Sequence, residues 1–120
     1  MKYLLMIYAN QQTWAGLSPE EMTEGIAAQD AFNKEFFETG ELLGAYGLAD
    51  AEAARVVRVR EGAAAVTDGP YLESKEHLAS YYLLDVESEQ RALDIAARMP
   101  FASFRCVEVR PVLHEADPQL

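Results

Sequence analysis

The chain has little cysteine, little histidine and few basic residues, and each shortage excludes a class of function. One cysteine and two histidines allow no intrachain disulfide and give no basis for a zinc site. Ten Lys and Arg against twenty Asp and Glu leave a formal net charge of −10, whereas nucleic-acid affinity rests on clustered cations. A glycine-rich phosphate loop is also missing. We therefore predict no metal, no cofactor and no direct nucleic-acid partner.

Long apolar runs are missing as well. The run from Tyr3 to Ala9 is too short to span a membrane or to act as a secretory signal, so we predict no membrane association and a cytoplasmic location. A length of 120 residues, half of them apolar, suits a single domain over residues 1–120. The lone Cys106 is predicted to be a small buried residue.

The clearest local signal is the start of a long helix. Ser18 supplies an N-cap hydroxyl, Pro19 suits the first helical position, and Glu21 completes a capping box. Gly40 can end the helix near Thr39 by taking a left-handed conformation. At 100° per residue one arc is apolar and is expected to face a sheet; its members are Met22, Gly25, Ile26, Phe32, Phe36 and Phe37.

Two amides interrupt that arc. Gln29 and Asn33 lie four residues apart, and therefore on one side of the helix. A buried amide without a partner costs about 1–3 kcal/mol. Each amide therefore either bonds to ordinary neighbours or lines a polar pocket between helix and sheet, and the sequence leaves both open.

Apolar and alternating stretches predict the strands of one sheet and an inserted hairpin. Ser88 is a cap for a second helix that Pro100 is expected to stop. The predicted strands are Lys2 to Tyr8, Leu42 to Leu48, Arg55 to Arg60, Ala63 to Thr67, Ala79 to Val86 and Phe104 to Val112.

This order of elements predicts an α+β fold of the ferredoxin-like, split βαβ type, with an antiparallel sheet and an inserted β-hairpin. The first strand and the strand from Ala79 are apolar on both sides, so both faces of the sheet need cover. Helices can cover one face. We expect a second copy of the chain to cover the other, which makes a homodimer.

The segment from Thr67 to Glu76 combines a tight turn, an aromatic residue and four charged side chains. Its Asp68-Gly69-Pro70 sequence is poorly suited to regular structure and predicts a turn. The segment resembles the signature of the YCII-related family, in the branch named after a DGPF motif, with Tyr71 in place of the usual phenylalanine. The opening residues 1–8 and the closing Arg110-Pro111-Val112 resemble the same family.

The resemblance implies a dimeric α/β barrel, in which two sheets pack face to face. It also implies a link to acid/base or dechlorination chemistry through a histidine and an aspartate. This chain has no histidine on its first long helix. Members of the DGPF branch are further associated with sigma factors, which implies a regulatory role.

The candidate catalytic residues are Asp68, as a general base, and His77, as a proton shuttle titrating near neutrality. Asp68 equally fits a purely structural turn residue, and the charged residues around His77 fit a solvated loop. Aromatic residues, among them Trp14 and Tyr82, fit either a pocket or a core. The candidate ligand-binding residues are Tyr8, Gln29, Asn33, Gly69, Pro70, Tyr71, Glu73 and Lys75.

Two functions remain open at this point. The first is a small-molecule-binding protein with a helix–sheet pocket and lyase-like acid/base catalysis. The second is a non-catalytic regulatory or interaction module linked to a sigma factor. The first expects Asp68 beside an enclosed pocket, whereas the second expects a filled interior.

Overall fold

A computed structural model of the chain describes residues 1–119. Its main sheet has four antiparallel strands in the order β2-β5-β1-β6, so the two strands that are apolar on both sides lie at the centre. The strands are β1 (Lys2–Ala9), β2 (Leu42–Gly47), β5 (His77–Asp85) and β6 (Glu108–Pro111). This is the predicted α+β, ferredoxin-type topology.

Within residues 1–119, four α-helices lie on one face of the sheet. They are α1 (Gln11–Ala15), α2 (Pro19–Glu38), α3 (Glu89–Ala97) and α4 (Pro100–Phe104). The core lies between sheet and helices, where Leu5 and Leu84 of the central strands meet Phe36 of α2 and Ile95 of α3. All four side chains are almost fully buried, which makes this contact the main source of hydrophobic stabilisation.

The predicted start and end of α2 are confirmed. The Ser18 hydroxyl accepts a hydrogen bond from the Glu21 backbone N–H at 3.0 Å, and the Glu21 carboxylate accepts one from the Ser18 N–H at 3.0 Å. Gly40 follows the helix with φ of 82°, the left-handed conformation expected there.

Only the second half of α2 packs tightly, which corrects the predicted apolar arc. Phe32 and Phe36 are buried, but Met22, Ile26 and Phe37 are 37%, 59% and 47% exposed. Residues 19–28 are all exposed, so the first half of the helix lacks close packing with the sheet.

The inserted hairpin forms a separate two-stranded sheet of β3 (Arg55–Arg60) and β4 (Ala63–Asp68), here called the arm. Glu61 and Gly62 both have positive φ, at 51° and 78°, as a tight hairpin turn requires. Except for Val56, every residue of its two strands is exposed.

Other boundaries differ from the prediction. The short helix α1 was not predicted, although Asn10 and Thr13 form a capping box at its start. The helix α3 ends at Ala97, before Pro100, and Pro100 begins α4, because proline suits the first turn of a helix. The last strand consequently starts at Glu108 rather than at Phe104, and β5 starts two residues early, at His77.

The predicted burial of Cys106 is wrong, because the residue is exposed in the segment that joins α4 to β6. Across residues 1–119, no helix is both long and apolar enough to cross a membrane.

Candidate functional site

A cavity of about 520 Å³ opens between the first half of α2 and the sheet. We call it the helix–sheet pocket. It exists because residues 19–28 are not packed down on β1 and β5, and its size falls in the range of small-molecule sites. Its lining is Ile7, Trp14, Leu17, Glu21, Met22, Glu24, Gly25, Ile26, Gln29, Ser80, Tyr82, Pro100, Phe101 and Phe104.

The two amides predicted on this side of α2 have separate positions. The Gln29 side-chain N–H donates to the Asn33 side-chain oxygen at 2.8 Å. Gln29 lines the pocket and Asn33 does not. The two amides therefore form one hydrogen bond with each other, and the Gln29 carbonyl oxygen is left as an acceptor at the pocket wall.

A second cavity of about 780 Å³, here called the polar cleft, lies at the start of β5. Part of the segment from Asp68 to His77, which the sequence analysis predicted to be functional, lines this cavity. Its lining is Ala9, Asn10, Gln11, Gln12, Trp14, Leu48, Ala49, Asp50, Ala51, Glu52, Pro70, Ser74, Lys75, His77, Leu78 and Ala79.

Hydrogen bonds hold the walls of the polar cleft together. The Asn10 side chain donates to the Lys75 backbone carbonyl at 2.9 Å, and the Gln11 side chain donates to the Asp50 carboxylate at 3.0 Å. Arg105 forms an ion pair with Glu76. The loop before β5 is thus fixed to α1 and to the end of α4.

The two cavities meet at Trp14, which lines both. The ring of Trp14 packs against that of Phe101, with 5.6 Å between centroids. Beside it the β1–β5 register shifts, so that Ile7 pairs with Ser80 but Tyr8 pairs with Leu78. Such β-bulges are frequent next to functional sites because they redirect side chains. Here, Ser80 lines the helix–sheet pocket, whereas Leu78 and Ala79 line the polar cleft.

Asp68 lies outside both cavities. Its side chain is 90% exposed and pairs with Arg55 at 3.4 Å at the base of the arm. The glycine of the Asp-Gly-Pro sequence has a structural role, since the Gly69 N–H donates to the Ala54 carbonyl at 2.9 Å. A Cβ on Gly69 would lie 3.0 Å from Ala54, so glycine allows the two chain segments to approach closely at the base of the arm.

His77 does line the polar cleft. Its Nε2 lies 2.9 Å from the Leu72 carbonyl oxygen. Because a carbonyl can only accept, Nε2 carries the proton, and Nδ1 of the neutral ring is free to accept one. Lys75 and Pro70 line the same cleft, so three of the predicted loop residues come together there.

The remaining predicted site residues lie elsewhere. Tyr71 is 70% exposed, beneath the Arg58 guanidinium at 5.6 Å, and Glu73 is exposed. The Tyr8 hydroxyl donates to Glu108 at 3.4 Å, and partial burial together with the Glu108 charge raises the pKa of that phenol. None of the three lines either cavity.

Sequence reasoning missed Ser80 and the phenylalanines of α4 as pocket residues. Ser80 carried a signal, because it is the one polar side chain between the aromatic and apolar residues of β5. Phe101 and Phe104 carried none, since the segment was read as the end of a helix and the start of a strand.

Comparisons with known proteins agree with this architecture. The model of the YCII-related domain matches residues 1–116. An uncharacterised protein of Rhizobium meliloti (strain 1021) is 32% identical over 114 residues, covering 93% of this chain and 92% of that protein.

A solved structure is similar over nearly its whole length. It is 5-chloro-2-hydroxyhydroquinone dehydrochlorinase from Burkholderia phenoliruptrix AC1100, in complex with 2,5-dihydroxybenzoquinone. The TM-score is 0.57 with 13% identity, and the match covers 96% of both chains; at this identity the likeness shows a shared fold. The match to the domain model over residues 1–116 is what assigns the family, and the chain belongs to the YCII-related proteins.

Proposed function

We propose that this YCII-related protein binds a small, largely apolar molecule in the helix–sheet pocket. The observation that carries the proposal is the cavity of about 520 Å³ under α2. Its walls are mostly apolar and aromatic, and its few polar groups include Ser80 and Gln29, a composition typical of small-molecule sites. The related fold of a dehydrochlorinase with a bound benzoquinone supports the proposal at the level of architecture.

A side chain added at Gly25 tests the pocket directly. Gly25 lines the cavity, and a Cβ there would meet no atom within 4 Å. We expect Gly25→Leu to fill the pocket without destabilising α2, because leucine favours helix by roughly 1 kcal/mol over glycine. Fragment binding, measured by ligand-observed NMR and by Trp14 fluorescence, should weaken at least tenfold.

Ala28→Leu is the matched control, since Ala28 lies on the exposed part of the same helix and does not line the pocket. This variant should bind the fragments as the wild type does. If Gly25→Leu binds every fragment with unchanged affinity, the pocket is not the binding site.

We assign any proton transfer to His77, which lines the adjoining polar cleft and presents a free Nδ1. The exposed position of Asp68 favours a structural role for that carboxylate. If a bound fragment is turned over, His77→Gln should abolish turnover while binding in the helix–sheet pocket persists. His114→Gln, in the exposed tail, is the control and should retain full turnover.

We also propose that the protein is a homodimer of the α/β-barrel type and a member of the DGPF branch. The apolar residues Leu4, Met6, Tyr46, Tyr81 and Leu83 alternate with core residues along their strands and define the open face of the sheet. The molecule is 19 Å thick in its shortest dimension, about the depth of one helix layer on one sheet. A second copy is the cover that suits such a face.

The arm supports a second function, that of a regulatory module acting with a sigma factor or a similar protein. Its strands are exposed and leave edges available for pairing with another chain. Replacing residues 55–67 with a short Gly-Ser link should then remove partner binding in a pull-down and leave fragment binding intact. Loss of fragment binding alone would argue against this function.

A further inference from the structure

The charged residues that line the helix–sheet pocket are all acidic. Its lining residues include Glu21 and Glu24 but no lysine, arginine or histidine. Both residues lie on the first half of α2, three positions apart, and therefore on neighbouring parts of the helix surface. An anion placed in this pocket would meet like charge and find no cation from the lining residues.

Glu21 is held in its ionised form. Hydrogen bonds from the Ser18 backbone N–H and hydroxyl keep the pKa of its carboxyl below the ordinary value. The capping interaction that starts α2 thus also fixes a negative charge at the pocket rim.

Several neutral groups that line the pocket offer acceptor oxygens. One N–H of the Gln29 amide donates to Asn33, which leaves its other N–H and its carbonyl oxygen for a ligand. The Ser80 hydroxyl makes no side-chain hydrogen bond with residues 1–119 and can donate or accept. A ligand that donates hydrogen bonds can therefore pair with the oxygens of Gln29 and Ser80.

We infer that the helix–sheet pocket selects amines, taking a cationic amino group at the rim beside Glu21 and Glu24 and an apolar or aromatic body beneath α2. The inference rests on the proposed function and names its ligand class. Carboxylates and phosphates of the same size should bind more weakly, because they lose hydration in the pocket without gaining an opposite charge.

Three probes of matched shape test the selection: 4-phenylbutylamine, 4-phenylbutanol and 4-phenylbutyrate. Dissociation constants are measured at low ionic strength by Trp14 fluorescence and by ligand-observed NMR. We expect the amine to bind at least tenfold tighter than the carboxylate, with the alcohol between them. The preference should shrink in 0.5 M NaCl, because salt screens charges at a partly exposed rim.

Glu24→Gln isolates the contribution of the rim. This variant should reduce the preference for the amine over the alcohol at least threefold. Glu38→Gln is the matched control, since it removes the same charge from an exposed position about 21 Å further along the same helix and does not line the pocket. It should leave the preference unchanged.

The outcomes separate the two proposals. If the carboxylate binds as tightly as the amine, or if Glu24→Gln changes nothing, the amine selection is wrong while the pocket stands. If none of the three probes binds to the wild type and Gly25→Leu alters no ligand signal, the pocket itself is not a binding site, and the selection fails with it.

Discussion

At the scale of single residues, most of the excess negative charge is solvated, and a few ion pairs have a defined structural role. Arg91 donates two hydrogen bonds to Glu41, at 2.7 and 2.8 Å, and so joins α3 to the residue before β2. These bonds hold the pKa of the Glu41 carboxyl below its ordinary value of 4.5. The Arg91 guanidinium also lies over the ring of Phe36 at 5.9 Å.

Glu41→Gln should lower the free energy of unfolding at pH 7 by about 1 kcal/mol, the upper range for a partly exposed pair. Because the folded-state pKa of Glu41 is depressed, the stabilisation is fully present above about pH 4.5 and is lost as the pH falls through the folded-state pKa. Urea unfolding at pH 7 and at pH 3 should therefore show the difference from wild type shrinking in acid.

Glu38→Gln provides the reference for that measurement, since Glu38 is exposed and has no ion pair among residues 1–119. Its effect should stay within about 0.5 kcal/mol at both pH values. A Glu41→Gln deficit that is equally large at pH 3 would show that the ion pair is not its source.

At the scale of elements, the two halves of α2 have different roles. The second half contributes Phe32 and Phe36 to the core, whereas the first half stands over a cavity. Stability of the first half therefore depends on its own local interactions, chiefly the capping box of Ser18 and Glu21.

Ser18→Ala should cost about 1 kcal/mol of helix stability, concentrated in residues 19–28. Hydrogen exchange of those amides should accelerate, and fragment affinity should fall, because the pocket loses one ordered wall. Ser88→Ala removes the equivalent cap of α3, whose Ser88 hydroxyl accepts from Arg91. It should destabilise the fold to a similar degree without changing exchange at residues 19–28; equal acceleration there in both variants would rule out a local effect.

The arm is the other element without a packing partner. Val57, Val59 and Val66 are 63%, 67% and 62% exposed, and a two-stranded hairpin alone is marginally stable in water. Two contacts fix its base, the Arg55–Asp68 ion pair and the approach of Gly69 to Ala54. The Asp-Gly-Pro motif is therefore explained largely by architecture.

At the scale of the whole molecule, the proposed homodimer depends on the open face of the sheet. Tyr46 and Tyr81 stack on it with centroids 5.0 Å apart, and β1 and β5 add Leu4, Met6 and Leu83. We expect the wild type to sediment as two chains at micromolar concentration. Tyr81→Glu should shift it to one chain, since a charge would be buried against an apolar partner surface.

Val57→Glu on the arm is the control for added charge and should leave the assembly unchanged. Circular dichroism establishes that each variant is folded. A wild type that sediments as a single chain under the same conditions would remove the homodimer from the proposal and leave the pocket beneath α2 untouched.

Much of the fold could be predicted because its signals are local. The cap at Ser18, the left-handed Gly40 and the Glu61-Gly62 turn act within a few residues of chain, and each is where the sequence indicated. Pro100 shows the limit, because a proline that stops one helix equally starts the next. The same limit applies to Asn10. It directly follows the first strand, so it was interpreted as the end of that strand and not as the N-cap of α1.

The candidate site was less predictable, since its residues are far apart in the sequence and come together only in the folded structure. The Asp68 to His77 segment was identified as a unit, yet Pro70, Lys75 and His77 line the polar cleft while Asp68 and Tyr71 stay outside it. Gln29 and Asn33 share a helix side, but only Gln29 reaches a cavity.

The sequence by itself determined the central strands, the long helix and the hairpin, because caps, turns and side-chain periodicity depend on near neighbours. Only the tertiary structure decided that the first half of α2 lies over a cavity and that Trp14 joins two sites. Burial depends on whether residues far apart in the chain fill the same space, and no local pattern contains that information.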